Sequence, residues 1–415
     1  MERISTNMPN DDVQYYLRRK EQGIASIQAK IANQTRIREL ADDPLAASHA
    51  VRYSSYLTRL ERFETNTQRA REHYKHVDDH MGQANDILQR LRELAVQGAN
   101  GIYTAEDNRA MAVEVNELVK ELGTIANATS PDGSYIFAGD KSFTAPFRIV
   151  EGTVNGLDGP APVEFEYRGA GAHRRTEITD RTYADLDIAG GHAFWAERMQ
   201  AISSFDASTY QVQENAAIFI DGVEIQLHVG DNVRTIAAKI NDSAAPVKAY
   251  IDRDTQGLAL EGLDAHLITL EDAEGSQVLR DLGLIRGNSL QGAPNWDPSA
   301  QISGGSIFEV AIGLRDALLR GDSAYVGGQG LGGMDQALAN VNARRAVVGS
   351  RQERVESTWS RLNREIQDVN ETLSREAGLD LASAAMEFGM MDMSHKAALQ
   401  TAARILPQTL LDFLR

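Results

Sequence analysis

The chain has no cysteine, which excludes a disulfide scaffold, a thiolate nucleophile and any cysteine-held metal. It has no run approaching the ~18 consecutive apolar residues of a membrane-crossing helix, and Met1–Asn10 is too polar to serve as the apolar stretch of a secretory signal. Basic character is short as well, since 42 Lys and Arg face 59 Asp and Glu for a formal charge of −17. With neither a basic stripe nor a basic tail, nucleic acid and acidic membrane are poor partners. Proline is rare and unevenly placed: six of the ten fall between residues 140 and 300, and none lies between Pro298 and Pro407. Helix can therefore run without that interruption after Pro298. The 42% hydrophobic content of 415 residues is enough for two to four domains with sizeable cores.

What is present begins with a rod. From Pro44 to Gly98, small and apolar residues alternate at steps of three and four: Tyr53, Tyr56, Leu60, Phe63, Thr67, Ala70, Tyr74, Val77, Met81, Ala84, Leu88, Leu91, Ala95 and Gly98. That spacing predicts a helix packed along its length against other helices, with Asp43 as N-cap and Pro44 as first helical residue. At ~1.5 Å per residue the rod is roughly 80 Å long, so its partner must be another rod. Met334, Val341, Val348, Val355, Leu362 and Val369 supply one seam of that partner, and Leu338, Trp359, Ile366 and Leu373, mixed with Arg345 and Gln352, supply the companion positions. The two are predicted to lie antiparallel. Leu60, Phe63, Tyr74, Leu88, Leu91, Val348, Val355, Leu362 and Val369 are the candidate rod-packing residues.

Around the rods the chain reads in order. Asn10 to Leu40 predicts a helix weakened at Gly23, with Val13, Leu17, Ile24, Ile27 and Ile31 on one face before the period shifts to Ile37 and Leu40. After a break at Gly98 to Gly101, Thr104 can cap a helix whose face carries Met111, Val115, Leu118, Leu122 and Ile125. Pro131-Asp132-Gly133 predicts a turn, with a short extended segment from Ser134 to Phe137. Residues 140–300 then change texture to short alternating runs such as Val163 to Tyr167, and their 13 basic and 25 acidic residues carry −12 of the net charge. Within them Asp221-Gly222, flanked by alternating Ile218, Ile220, Val223, Ile225 and Leu227, predicts a hairpin with a type I′ turn. An amphipathic helix with Val233, Ile236, Ala237 and Ile240 follows, and then strands at Val247 to Ile251, Gly257 to Leu260 and Leu267 to Leu270. Ser306 with Glu309 predicts a capping box, Gly327 to Gly333 a flexible link, and Gly378 with Asp380 the start of a last helix.

That last helix carries Leu381, Ala384, Phe388, Met391, Ala398, Ala402 and Ile405 on one face, and Leu410, Leu411, Phe413 and Leu414 finish the chain. Neither it nor the first 40 residues has enough large apolar side chains to offset the backbone entropy of ordering alone. Both ends are expected to order by packing on each other and on neighbouring subunits. The candidate assembly interface is Leu17, Ile24, Ile27, Ile31, Leu381, Phe388, Met391, Ala398, Ile405, Leu410, Phe413 and Leu414. The fold class is α+β: an elongated antiparallel helical bundle from both chain ends with an inserted β-rich outer domain. The expected division is 1–43 with 377–415, 44–139 with 301–376, and 140–300.

Several stretches resemble the flagellin superfamily. They are Arg36-Ile37 with Ala41-Asp42-Asp43-Pro44, Leu91 to Asn100, and Leu406 to Leu414; the Asp221-Gly222 unit, about 206–286, is similar to that family's insertion motif. Arg3 to Asn7, Gly133 to Asp140, Thr144 to Phe147, Ser306 to Phe308 and Arg345 to Arg351 resemble its branch at the junction of hook and filament. The sequence departs from that branch in Glu2 before Arg3 and in a flagellin-like Pro407-Gln408, while Asn33-Gln34-Thr35 stands where flagellins often have Ser-Ser-Gly. The resemblance implies a structural subunit without cofactor or enzymatic activity. It implies export through the flagellar type III apparatus with no cleaved signal peptide, and a place in an external or periplasmic flagellum. Its implied partners are copies of itself in a helical ring, the first hook-associated protein, flagellin and an export chaperone.

Two readings stand beside the junction adaptor: a filament flagellin, and a secreted enzyme with its site in residues 140–300. The sequence displays no convergent set of titratable groups for the enzyme. His76 and His80 have the i, i+4 spacing of a metal pair, but no third ligand is fixed beside them. No His-Glu-x-x-His occurs, and the glycine run lacks the Lys-Ser/Thr of a phosphate loop. Glu271-Asp272-Ala273-Glu274 lacks a calcium-loop pattern and reads as a solvated face. Met390, Met391 and Met393 read equally as interior packing or as an adaptable partner surface, and Trp359 reads as core.

Overall fold

The computed structural model describes residues 8–37, 43–170, 174–186, 188–287 and 295–405. Three helices come first: α1 (Met8–Asn33), α2 (Pro44–Ala99) and α3 (Ala105–Ala126). The middle contains β1 (Phe147–Thr153), β2 (Pro160–Tyr167), β3 (Arg175–Thr179), β4 (Thr182–Asp185), the short α4 (Gly190–Ala193), β5 (Gln200–Ile202), β6 (Ala216–Ile220) and β7 (Val223–Leu227). It continues through α5 (Val233–Asp242), β8 (Val247–Ile251), β9 (Leu258–Gly262), β10 (Leu270–Asp272), α6 (Val278–Asp281) and β11 (Gln301–Ser303). The chain returns through α7 (Ile307–Arg320), α8 (Ser323–Tyr325), a π-turn at Val326–Gly330, α9 (Leu331–Ala377) and α10 (Leu381–Ile405). The fold is α+β, with helices from both chain ends and inserted antiparallel sheets. It forms two compact units, 1–65 with 359–415 and 66–358, and α2 and α9 each contribute to both.

In the larger unit the predicted seam is the core. Every seam residue from Thr67 to Gly98 is buried, together with Met334, Val341, Val348 and Val355. Ion pairs fix the two helices antiparallel in this unit: Arg71 with Glu356, Asp78 with Arg345 and Arg92 with Asp335. Helix α3 begins at the predicted Thr104, where Asp107 N donates to Thr104 Oγ1 at 3.2 Å. Helix α7 begins in the predicted capping box, where Glu309 N donates to Ser306 Oγ at 3.2 Å and Ser306 N to Glu309 Oε2 at 2.9 Å. Strands β1 and β2 pair antiparallel and lay Phe165 on Phe308 of α7, with ring centroids 4.1 Å apart and planes at 11°. The hairpin β6–β7 has φ of +50° at Asp221 and +76° at Gly222, as a type I′ turn requires. It pairs with β10, while β11, β5, β9 and β8 make a second antiparallel sheet in that order.

Four expectations for this unit are corrected. Gly327 to Gly333 is helical rather than a link. A Cβ on Gly333 would lie 2.5 Å from Val310 Cγ1, and one on Gly327 would lie 3.2 Å from Ala99 Cβ, so these glycines serve close helix packing. Ser134 to Phe137 forms no strand, because Asp132 Oδ1 accepts from Ser134 N and Oγ and holds a local turn that buries Ile136 and Phe137. Val163 breaks the alternation of Val163 to Tyr167 and is exposed, because β2 carries a bulge opposite Val150 and Glu151. The strand expected at Leu267 starts at Leu270, since Leu267 N is drawn to Gly191 O at 2.9 Å.

In the smaller unit, Asp43 caps α2 by accepting from Ala46 N at 3.1 Å, and that carboxyl is held below its usual range chiefly by this bond. Leu60, Phe63, Leu362 and Val369 form a small cluster, with Tyr53, Tyr56, Leu57 and Ile366 against it. Trp359 is half-buried rather than core, and its Nε1 donates to Glu64 Oε1 at 3.1 Å. Helix α1 ends at Asn33 instead of continuing to Leu40: Gln34 takes φ of +54°, and Thr35 bridges to Gly378. Leu40 lies outside the described residues. Gly378 ends α9, where a Cβ would meet Ser374 O at 2.2 Å, and Asp380 Oδ1 accepts from Ala382 N at 2.9 Å to start α10.

Candidate assembly surface and a buried histidine cluster

Helices α1 and α10 pack on each other through the residues the sequence singled out. Ile27, Ala384 and Ala402 are buried, while Leu17, Ile24, Ile31, Phe388, Met391 and Ala398 are half-buried and Leu381 is exposed. Met391 Sδ lies 3.3 Å from where a Cβ on Gly23 would stand, so the glycine that lowers helix propensity also admits this side chain. The neighbouring methionines divide by helical phase. Met386, Met390 and Met393 fall at i, i+4 and i+7 and are 65%, 66% and 70% exposed, and Tyr15 and Tyr16 of α1 are exposed as well. Ile405 closes α10, and Leu410, Phe413 and Leu414 lie outside the described residues, as do Arg3 to Asn7. Within the same unit, an apolar groove of about 540 Å³ is lined by Ile37, Ala47, Val51, Leu373 and Ala377.

The larger unit assembles a polar cluster that sequence spacing does not announce. His266 is fully buried in the loop between β9 and β10; its Nε2 lies 3.1 Å from Asp221 Oδ2, and its Nδ1 lies 3.0 Å from Asp264 O and 2.7 Å from Asp264 Oδ1. Asp221 belongs to the β6–β7 turn, where its Oδ1 also accepts from Thr269 N at 2.8 Å. Arg344 of α9 donates through Nη2 to Asp264 Oδ2 at 2.6 Å. The ring of His192, on α4, stacks on His266 with centroids 5.0 Å apart and planes at 17°. Asn340 Nδ2 fixes that segment by donating to the carbonyls of His192 and Trp195 at 3.1 and 2.7 Å.

Burial opposes charge on His266, but hydrogen bonding and attraction from Asp221 and Asp264 outweigh it and push its pKa up to about 9. Burial and then the positive His266 and Arg344 press His192 the other way, down to about 4. Burial would raise Asp264, yet His266 and Arg344 hold it below the usual carboxylate range. The cluster at ordinary pH is thus an imidazolium and a guanidinium facing two carboxylates, with a neutral imidazole stacked alongside. Among the described residues, His192, Asp264 and His266 are the group of three side chains positioned to hold a metal, and His76 and His80 join no such group. The Asp221-Gly222 turn and the Asp264-x-His266 spacing are the parts of this cluster visible in sequence. The solvated-face reading fails at Asp272, which is buried and accepts from Leu279 N at 2.9 Å and Arg280 N at 3.3 Å. Burial raises its pKa against those bonds.

No helix among the described residues is long and apolar enough to cross a membrane. Three family models match the chain: the bacterial flagellin N-terminal helical region over residues 4–142, the bacterial flagellin C-terminal helical region over 331–414, and the flagellin hook IN motif over 211–264. Flagellin FlaB1 of Treponema pallidum is 31% identical over 125 residues, covering 30% of this chain and 44% of the relative. This chain spans about half the length of such curated relatives. Flagellin A of Vibrio cholerae is 23% identical over 424 residues, covering 99% of each. Among solved structures, the flagellar junction protein FlgL of Legionella pneumophila is similar at 18% identity and a TM-score of 0.45, covering 80% of this chain and all of that one. With helical regions of that family matched at both ends and its insertion motif matched between them, the chain belongs to the flagellin superfamily.

Proposed function

We propose that the protein is a non-enzymatic structural subunit of the bacterial flagellum that adapts the hook, through the first hook-associated protein, to the flagellin filament. The observation that carries a structural, assembling role is the face of α10 bearing Met386, Met390 and Met393, an apolar stripe left exposed on a helix whose opposite side is already engaged by α1. Burying such a stripe against neighbouring copies supplies the free energy that the two helices lack alone. The assembly interface would comprise Leu17, Ile24, Ile27, Ile31, Leu381, Phe388, Met391, Ala398, Ile405, Leu410, Phe413 and Leu414, extended by the exposed methionines. The matching three-part division is an inner layer of 1–43 with 377–415, a rod layer of 44–139 with 301–376, and an acidic exterior of 140–300. Export by the flagellar type III apparatus, with a chaperone, belongs to the same proposal. The junction position rests on the sequence stretches at Arg3 to Asn7, Gly133 to Asp140 and Arg345 to Arg351.

A filament flagellin is the second reading, favoured by the 99% coverage of flagellin A on both chains. Deletion of the protein followed by electron microscopy separates the two. A junction subunit leaves hooks without filaments and flagellin shed into the medium, and the protein is scarce in purified flagella. Normal filaments in the deletion strain, or this chain as the main filament component, would reject the junction role.

A further inference from the structure

We propose that His192, Asp264 and His266 form a binding site for one zinc-class transition-metal ion, held through Nδ1 of His266, Oδ1 of Asp264 and a ring nitrogen of His192. One ligand atom from each residue lies within 4.8 Å of the other two. A tetrahedral zinc bound at ~2.1 Å spaces its ligands by roughly 3.4 Å, so closing the set takes a shift of up to about 1.4 Å and a turn of the His192 ring out of its stack on His266, because an imidazole lone pair lies in the plane of its ring. His192 carries a buried ring atom, Nδ1, without a hydrogen-bond partner among the described residues, and Asp264 Oδ1 faces His266 Nδ1 at 2.7 Å across the position the ion would take. Orphaned polar atoms of this kind are rare in protein interiors and call for a ligand or water.

The surroundings are those of a supported metal ligand set. Metal-binding histidines usually give their second ring N–H to a carboxylate, and Asp221 Oδ2 stands 3.1 Å from His266 Nε2. Arg344 engages Oδ2 of Asp264 and the Ala265 carbonyl, so that Oδ1 faces His266 Nδ1, from which the ion would displace the proton. Asn340 pins the His192 backbone, and Gly262 allows the loop to close, since a Cβ there would lie 2.9 Å from Asp264 O. Zinc would stand where the Nδ1 hydrogen of His266 stands, and that proton leaves to solvent. The buried charge then rises by one, not two, beside Asp221 and Asp264. Two imidazoles and one carboxylate select zinc and its neighbours over magnesium or calcium, which require oxygen ligands. The ion would tie α4, the loop after β9 and, through Asp221, the insertion-motif hairpin.

The test uses full-length protein stripped by chelator and titrated with zinc chloride by calorimetry, with thermal unfolding followed in parallel. One saturable site tighter than about 10 µM is expected, with a melting temperature that rises with zinc concentration. X-ray absorption should show nitrogen and oxygen ligands at about 2.0–2.1 Å, and magnesium or calcium should reproduce none of this. His192→Ala leaves the Asp221–His266–Asp264 contacts in place and should weaken zinc binding by at least ~10-fold. His192→Asn gives the same reading if the alanine variant misfolds. The double variant His76→Ala/His80→Ala should bind as the parent does. Absence of saturable binding up to about 100 µM zinc, retention of full affinity without His192, or loss of it in the His76/His80 variant overturns the proposal.

Discussion

The two units use one heptad pattern to different ends. In residues 66–358 the seam of α2 is closed on every side, and its buried residues run into one continuous core with α3, α7, α9 and the sheets. In residues 1–65 with 359–415 the same pattern closes, among the described residues, over a cluster of four buried large side chains, and the α1–α10 pair buries Ile27 and two alanines. A heptad seam therefore specifies that a helix will be paired but not how completely. Completeness depends on a third layer, which the larger unit draws from its own chain. In the smaller unit, we propose, that layer comes from other copies.

The largest expected consequence is in local stability. Hydrogen exchange of the isolated monomer should find amides of α1 and α10 exchanging at least about 100-fold faster than those of α2 after residue 70. Equal protection of the two regions would end the comparison, because the chain ends would then be self-sufficient.

Matched truncations sharpen it. Leu88→Ala removes a fully buried side chain and should cost about 3 kcal/mol in monomer unfolding by denaturant. Ile24→Ala removes a half-buried one and should cost the monomer under about 1 kcal/mol, yet abolish incorporation into purified flagella. Were Ile24→Ala to assemble normally, the α1 face would not be an interface.

Legibility in sequence followed the same divide between local and distant causes. The rods, the caps at Asp43, Thr104, Ser306 and Asp380, and the Asp221-Gly222 turn are set by near neighbours, and each is found where its local chemistry puts it. The glycine run was misread because flexibility and close packing call for the same residue; Val310 and Ala99, distant in sequence, decide between them. Asp272 was misread because a helix start seven residues on needs its carboxylate. The histidine cluster was largely illegible, since α4, the β6–β7 turn, the loop after β9 and α9 meet only in the folded chain. Met391 and Met390 show the narrowest margin, adjacent residues that one step of ~100° separates into one packed at Gly23 of α1 and one exposed to solvent.

A pH series should move the two units differently. His266 has its pKa raised to about 9, so its contribution is complete below the ordinary histidine value and is lost as pH rises through 9. His192 has its pKa lowered to about 4, so the unfolded chain takes up a proton first, and stability falls as pH drops from the ordinary value toward 4. Chelator-treated protein should therefore show the larger unit most stable near pH ~6.5. His266→Gln should flatten the alkaline limb and His192→Gln part of the acid limb. The smaller unit should lack this shape; a matching maximum in the exchange of α1 would contradict it.

The smallest effect separates two adjacent arginines of α9. Arg345 occupies a seam position and reaches Asp78 through Nε at 3.0 Å and Nη2 at 3.4 Å, with its guanidinium lying over Gly82. The side chains of Arg345 and Asp78 are each about a third exposed, so water already solvates much of what the pair would gain. Arg345→Ala should cost at most about 1 kcal/mol in unfolding of the larger unit, less at high salt. Arg344→Ala should cost somewhat more, about 1.5 kcal/mol, with a weaker dependence on salt: Asp264 is half exposed, but the Arg344 side chain is only 19% exposed and donates to both Asp264 Oδ2 and the Ala265 carbonyl. If the two variants lose equal stability with equal salt dependence, the ion pairs between α2 and α9 carry more of the rod than its apolar seam, and the heptad account of this unit fails.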